Sequence, residues 1–119
     1  MTPDEINERI ARWMGWQWSD KHGWPMWYAP GEEIQPFAFR AGGFRYMESL
    51  DAQQPVWEAL RNRGQPVALG PDNGDGYVAS VDSRTTGSDY PYYGFAATPA
   101  EAAARACAAA IEVLYGHPR

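Results

Sequence analysis

Thr98-Pro99-Ala100-Glu101 near the end of the chain and Thr2-Pro3-Asp4-Glu5 near its start decide the frame of the fold. Each sets a Thr at a helix N-cap, a Pro at the first helical position, where no N–H is missed, and a Glu three residues on that reaches back to the cap. Two firm helices follow. In the first, over residues 3–14, Ile6, Ile10, Trp13 and Met14 share one face and Gly15 ends the element. In the last, over residues 99–114, the buried face is predicted to be Ala103, Cys107, Ala110, Ile111 and Leu114, with Glu101 and Arg105 paired on the exposed side and Gly116 and Pro118 beyond the end.

Working inward, Trp16 and Trp18 fall on one side of an extended chain, residues 19–23 read as a turn, and residues 24–28 as a strand closed by Pro30-Gly31. Over residues 35–47 the aromatics Phe37, Phe39, Phe44 and Tyr46 alternate around Gly42-Gly43, which reads as extended structure with a glycine kink. A second helix is expected from position 49 or 51 to 63, with Val56, Ala59, Leu60 and Arg63 on one face and Gly64 as its stop. Pro55 opposes it, because an interior proline removes a backbone hydrogen bond and crowds the preceding turn. Then come a strand at 66–69, a turn at 70–76, a strand at 77–82 with Tyr77, Ala79 and Val81 on one face, a polar loop, and a third strand within 90–97. The order is α-β-β-α-β-β-β-α in one domain over residues 1–119. An α+β fold follows, with an antiparallel sheet of about four to five strands flanked by three helices. Spacing leaves open whether the helices cover one face or both.

A chain of 119 residues buries roughly 65% of the surface its unfolded form exposes, so no disulfide or metal staple is required. The net charge of -5 argues against a general nucleic-acid or anionic-membrane binder, since those partners are held by a surplus of basic residues. No apolar stretch approaches a membrane span, and the first residues read as a capped amphipathic helix rather than a signal sequence; a soluble, unsecreted protein is expected. Cys107, the single cysteine, lies among alanines and reads as a small buried hydrophobe.

Three segments resemble those of a known family: Ile6-x-x-x-Ile10-x-x-Trp13-Met14-Gly15-Trp16; Tyr46-Met47-Glu48-Ser49-Leu50-Asp51-Ala52 leading to Val56-Trp57-Glu58-Ala59-Leu60; and Phe95-Ala96-Ala97-Thr98-Pro99-Ala100-Glu101-Ala102. In that order they resemble the phage ABA-sandwich domain proteins. The resemblance implies a small α/β/α sandwich encoded by a tailed phage or prophage, acting in the cytoplasm of the bacterial host. It carries over no catalytic residue and no cofactor. Pro55 and the glycine-rich Ala41-Gly42-Gly43 depart from the family pattern.

Aromatic residues are the strongest enrichment, with five tryptophans from Trp13 to Trp27 and a sixth at Trp57. Rings of this size bury large apolar area, so one reading has them knitting the first helix to the sheet. The functional reading is a stacking site beside guanidinium groups. It nominates Trp24, Trp27, Arg40, Arg45, Tyr46, Arg84, Tyr90 and Tyr92 as contacts for a small nucleotide-like ligand, such as a host defence signal sequestered during infection. A second expectation is a homo-oligomer or a domain docking on a host protein through exposed aromatics, Trp24 or Trp27 among them. A small hydrolase using Asp20, His22 or Asp82 ranks last, because two histidines and one cysteine assemble neither a metal cluster nor a catalytic triad by spacing. Asp72-Asn73-Gly74-Asp75-Gly76 lacks the ligand spacing of a calcium loop and reads as a hairpin turn, and residues 82–89 lack the glycine-lysine spacing of a phosphate loop. No cofactor and no metal are expected.

Overall fold

The computed structural model describes residues 2–19, 26–28, 44–82 and 91–115. Its elements are α1 (Pro3–Trp13), β1 (Gln17–Ser19), β2 (Met26–Tyr28), α2 (Leu50–Asn62), β3 (Val67–Pro71), β4 (Tyr77–Val81), β5 (Tyr92–Ala96) and α3 (Pro99–Tyr115), an α+β fold in the element order that the sequence predicts.

Both helix-start signals cap their helices, but only the first closes the reciprocal pair that the sequence predicts for both, because the Arg105 guanidinium draws the second Glu away from its cap. At α1 the Thr2 hydroxyl accepts the Glu5 N–H at 3.2 Å, while the Glu5 carboxylate accepts from the Thr2 hydroxyl at 3.0 Å and from its backbone N–H at 3.4 Å. Those hydrogen bonds from Thr2 hold the Glu5 carboxyl below its ordinary pKa. At α3 the Thr98 hydroxyl accepts the Glu101 N–H at 3.3 Å, and the Glu101 carboxylate turns forward to Arg105 at 3.4 Å. Helix ends follow the same economy of backbone groups. Gly15 and Gly64 take positive φ, 100° and 77°, which lets Trp16 N–H reach the Ala11 carbonyl and Gln65 N–H reach the Leu60 carbonyl, closing α1 and α2 in the same manner. The second helix starts at Leu50 with Ser49 as N-cap, so Pro55 lies inside it. The Asp51 carbonyl that a proline at this position leaves without a helical donor belongs to an exposed residue.

The strands do not form one sheet. The 17–19 and 26–28 strands make a two-stranded antiparallel hairpin with Trp18 opposite Trp27, and β3, β4 and β5 make a separate antiparallel sheet in that order. Three-residue strands offer little ladder. The small hairpin is tied to the body by rings instead: Trp27 to Phe44 and Trp16 to Phe44 meet edge to face at 5.4 and 5.2 Å. Residues 44–47, the described part of the aromatic run expected to be extended, enter a turn in which the Arg45 carbonyl accepts the Glu48 and Ser49 N–H groups at 3.1 and 2.9 Å. Residues 35–43 lie outside the described residues.

Helix α3 is the centre of the molecule. It packs on all three strands of the larger sheet and on both other helices, so its alanines are buried well beyond the one face that periodicity picks out: Ala100, Ala102, Ala104, Ala106 and Ala108 join Ala103, Cys107, Ala110 and Ile111. Alanine is the side chain that lets a helix be approached on every side. Closest of all is β5, where Gly94 abuts the α3 backbone; a Cβ there would stand 2.2 Å from the Ala102 carbonyl oxygen and 2.5 Å from the Ala106 nitrogen. One polar residue stitches the helices together. The buried Gln53 donates its Nε2–H groups to the Tyr46 carbonyl at 2.6 Å and the Ala100 carbonyl at 2.8 Å, and its Oε1 accepts the Trp57 indole N–H at 2.9 Å.

Candidate functional site

The residues nominated for a stacking site are not gathered around one cleft. Trp24, Arg40, Arg84 and Tyr90 lie outside the described residues. Trp27 is 4% exposed and Tyr46 8% exposed, so neither ring offers an open face. Their partners explain why. Trp27 lies edge to face against Trp18 and Phe44 with the Arg12 guanidinium 4.8 Å above it, and Tyr46 stacks on Phe44 with centroids 5.9 Å apart. Burial also pushes the Tyr46 hydroxyl up to about 12. Arg45 is open to solvent and paired with Glu48 at 3.5 Å, while Tyr92 is half-buried on β5 against the core.

Other guanidinium groups are engaged too. Arg63 sits over both Trp13 and Tyr115, at 5.2 and 4.9 Å, and those two rings touch each other at 5.3 Å. Arg12 also bonds the Glu8 carboxylate at 3.0 Å. In these clusters cation and ring already hold each other. A shallow depression of about 350 Å³ lies where the N-termini of α2 and α3 converge, but Glu48 and Asp51 line it, and their carboxylates supply the negative charge that the two helix ends favour. An anionic ligand would be repelled there. Among the described residues no group of three His, Cys, Asp or Glu side chains is placed to hold a metal, and no helix is long and apolar enough to cross a membrane. Cys107 is buried, its thiol pushed up to about 12 by that burial, and it carries no accessible thiolate.

The outer face of the larger sheet is different. Along β5, Gly94 is buried under α3, and the alternation of a strand sends Tyr93 and Phe95 to the opposite side. There Phe95 is 58% and Tyr93 53% exposed, and the two rings stack on each other 6.0 Å apart with planes at 27°. Across the ladder, Phe95 pairs with Val78 and Tyr93 with Ser80, and Ser80 pairs with Ala68 on β3. The face is therefore uncharged within its three strands, with Asp72 and Asp82 just beyond their ends on the same side, and among the described residues no element packs on it. The chain matches no family model, no curated protein and no solved structure with which it was compared.

Sequence reasoning sets Tyr93 in the run after Arg84 with Tyr90 and Tyr92 without nominating it as a contact, and it passes over Phe95. A signal was present nonetheless: Gly94 and Ala96 alternate with the two rings, next to an alanine-rich helix, and a helix that packs closely takes the face with the small residues. The rings then have to face the other way.

Proposed function

We propose that this chain is a non-enzymatic interaction domain that binds a protein surface through the outer face of its β3–β4–β5 sheet. The single observation that carries this reading is the exposed, stacked Tyr93–Phe95 pair on an uncharged sheet face. Covering one such ring removes enough apolar surface from water to contribute about 2 kcal/mol, and aromatic anchors of this kind dominate protein interfaces. The resemblance to phage ABA-sandwich proteins supplies the setting: an accessory protein of a phage or prophage, working in the cytoplasm of a bacterial host. Capture of a nucleotide-like molecule is the second reading. The same two ring faces would stack on a base, yet among the described residues the face offers no guanidinium for a phosphate. Calorimetric titration with cyclic and adenine-containing nucleotides separates the two readings, since an interaction domain of this kind gives no heat with them.

A photo-crosslinking benzoylphenylalanine placed at Phe95, in bacterial cells producing the protein, tests the main reading. Val113 on α3, 64% exposed, is the control position. The proposal expects a discrete covalent adduct from position 95 that Tyr93→Ser removes. Adducts no stronger than those from position 113 would refute it.

A further inference from the structure

Among the described residues the outer edge of β5 is unpaired, and its backbone groups can be assigned from the register. Asp82 N–H donates to the Pro66 carbonyl at 3.1 Å and Asp72 N–H to the Gly76 carbonyl at 3.0 Å, so these opposed residues are the hydrogen-bonded pairs of the β3–β4 ladder. By alternation Val78 and Ser80 turn their backbone groups to β3, and Tyr77, Ala79 and Val81 turn theirs to β5, where they meet Ala96, Gly94 and Tyr92. The N–H and C=O groups of Tyr93 and Phe95 consequently point away from β4. Among the described residues no strand pairs with them, and the span Tyr92–Ala96 carries no charge and no proline to discourage pairing.

Resting on the reading above, we infer that the partner of this edge is a second copy of the chain, joined by antiparallel pairing of β5 with β5 about a two-fold axis at Gly94. The strand is self-complementary about that residue. Tyr93 of each copy stands opposite Phe95 of the other, so the outward N–H and C=O groups of both are satisfied reciprocally and each ring gains an aromatic cross-strand neighbour. The axis falls where there is no side chain, and the rings of both copies merge into one strip on the outer face.

Charge on the inner side fits the same symmetry. Arg105 lies beside the axis, its Cβ 3.0 Å from where a Cβ on Gly94 would be, and it is half-exposed with Glu101 on the same strip of α3. The two-fold axis runs the two α3 helices in opposite directions and brings Glu101 of each copy toward Arg105 of the other. Because α3 packs on β4 as well as β5, a helix centred between those strands lies about 10 Å from its copy, within reach of ordinary helix packing.

Sedimentation equilibrium from micromolar to submillimolar concentration tests this. Wild type is expected to rise from 13.3 kDa toward twice that mass. Tyr93→Pro removes an outward N–H that makes no bond to β4, a place where a strand tolerates proline, and is expected to stay monomeric. In case that variant fails to fold, two surface variants carry the test. Tyr93→Glu with Phe95→Glu faces like charges across the axis and loses the dimer, whereas Tyr93→Lys with Phe95→Glu faces Lys with Glu and keeps it. A wild type that remains at 13.3 kDa throughout, or a double-glutamate variant that dimerises like wild type, overturns the inference. An adduct at position 95 to a protein of different mass would leave the interaction-domain reading standing while the second copy falls.

Discussion

Gly94→Ala should damage this protein severely although it adds a single methyl group. The added Cβ would sit 2.2 Å from the Ala102 carbonyl oxygen, 2.5 Å from the Ala106 nitrogen and 3.0 Å from the Arg105 Cβ. Two of these neighbours are helix backbone, with no rotamer to change, so relief requires α3 to lift from β5 by an ångström or so. That helix is also wedged against α1, α2 and the other strands, and the strain spreads through the core. Overpacking of this kind costs about 1–3 kcal/mol, and a rigid backbone contact places this site at the upper end. For a domain of this size, about 3 kcal/mol lowers the melting temperature by about 10 °C. Differential scanning calorimetry of Gly94→Ala against wild type reads it directly. Gly74→Ala is the control, since an added methyl there meets nothing within 4 Å and the backbone is not in a positive-φ conformation. A Gly94→Ala protein melting within a degree or two of wild type would refute the close approach of α3 to β5.

Gln53→Leu keeps the volume of a fully buried side chain but leaves the Tyr46 carbonyl and the Trp57 indole N–H without their partner, while the Ala100 carbonyl loses its second donor and keeps its helical one. Unpaired buried groups cost about 1–3 kcal/mol each, so a loss of about 3 kcal/mol or more is expected in a urea titration, and a loss under about 1 kcal/mol would contradict the bridging role. The Cys107 thiol, buried and pushed up to about 12, stays protonated across the neutral range. It should resist a thiol-specific disulfide reagent in the native protein and react at once in denaturant; rapid labelling of the native form at neutral pH would show that α3 is not enclosed.

What could be read in the sequence was whatever a few adjacent residues decide among themselves. The Thr-Pro-x-Glu starts, the Gly stops at 15 and 64, and the β3–β4 hairpin around Asn73-Gly74 all depend on local backbone bonds, and each falls within a residue or two of its expected place. The orientation of rings is not decided locally. Trp27 and Tyr46 carry the same side chains as a stacking platform would, and it is their contacts in the folded chain that turn them inward, Trp27 against Trp18, Phe44 and Arg12 and Tyr46 against Phe44. The division of the strands into two sheets escaped for a similar reason, because three-residue strands give no register long enough to show which edge they avoid. Pro55 gave a misleading signal: its cost is set by whether the carbonyl it deprives can reach water, which a linear pattern does not reveal.

The account turns on Tyr93 and Phe95 lying in the open, and the most direct measurement is proton relaxation with a soluble paramagnetic probe in dilute protein. Ring protons of Tyr93 and Phe95 should broaden as strongly as the methyls of the exposed Val113, while those of Trp27 and Phe44 stay sharp. Rings at 93 and 95 as protected as Phe44 would mean that the sheet face is covered, and the proposed surface would not exist.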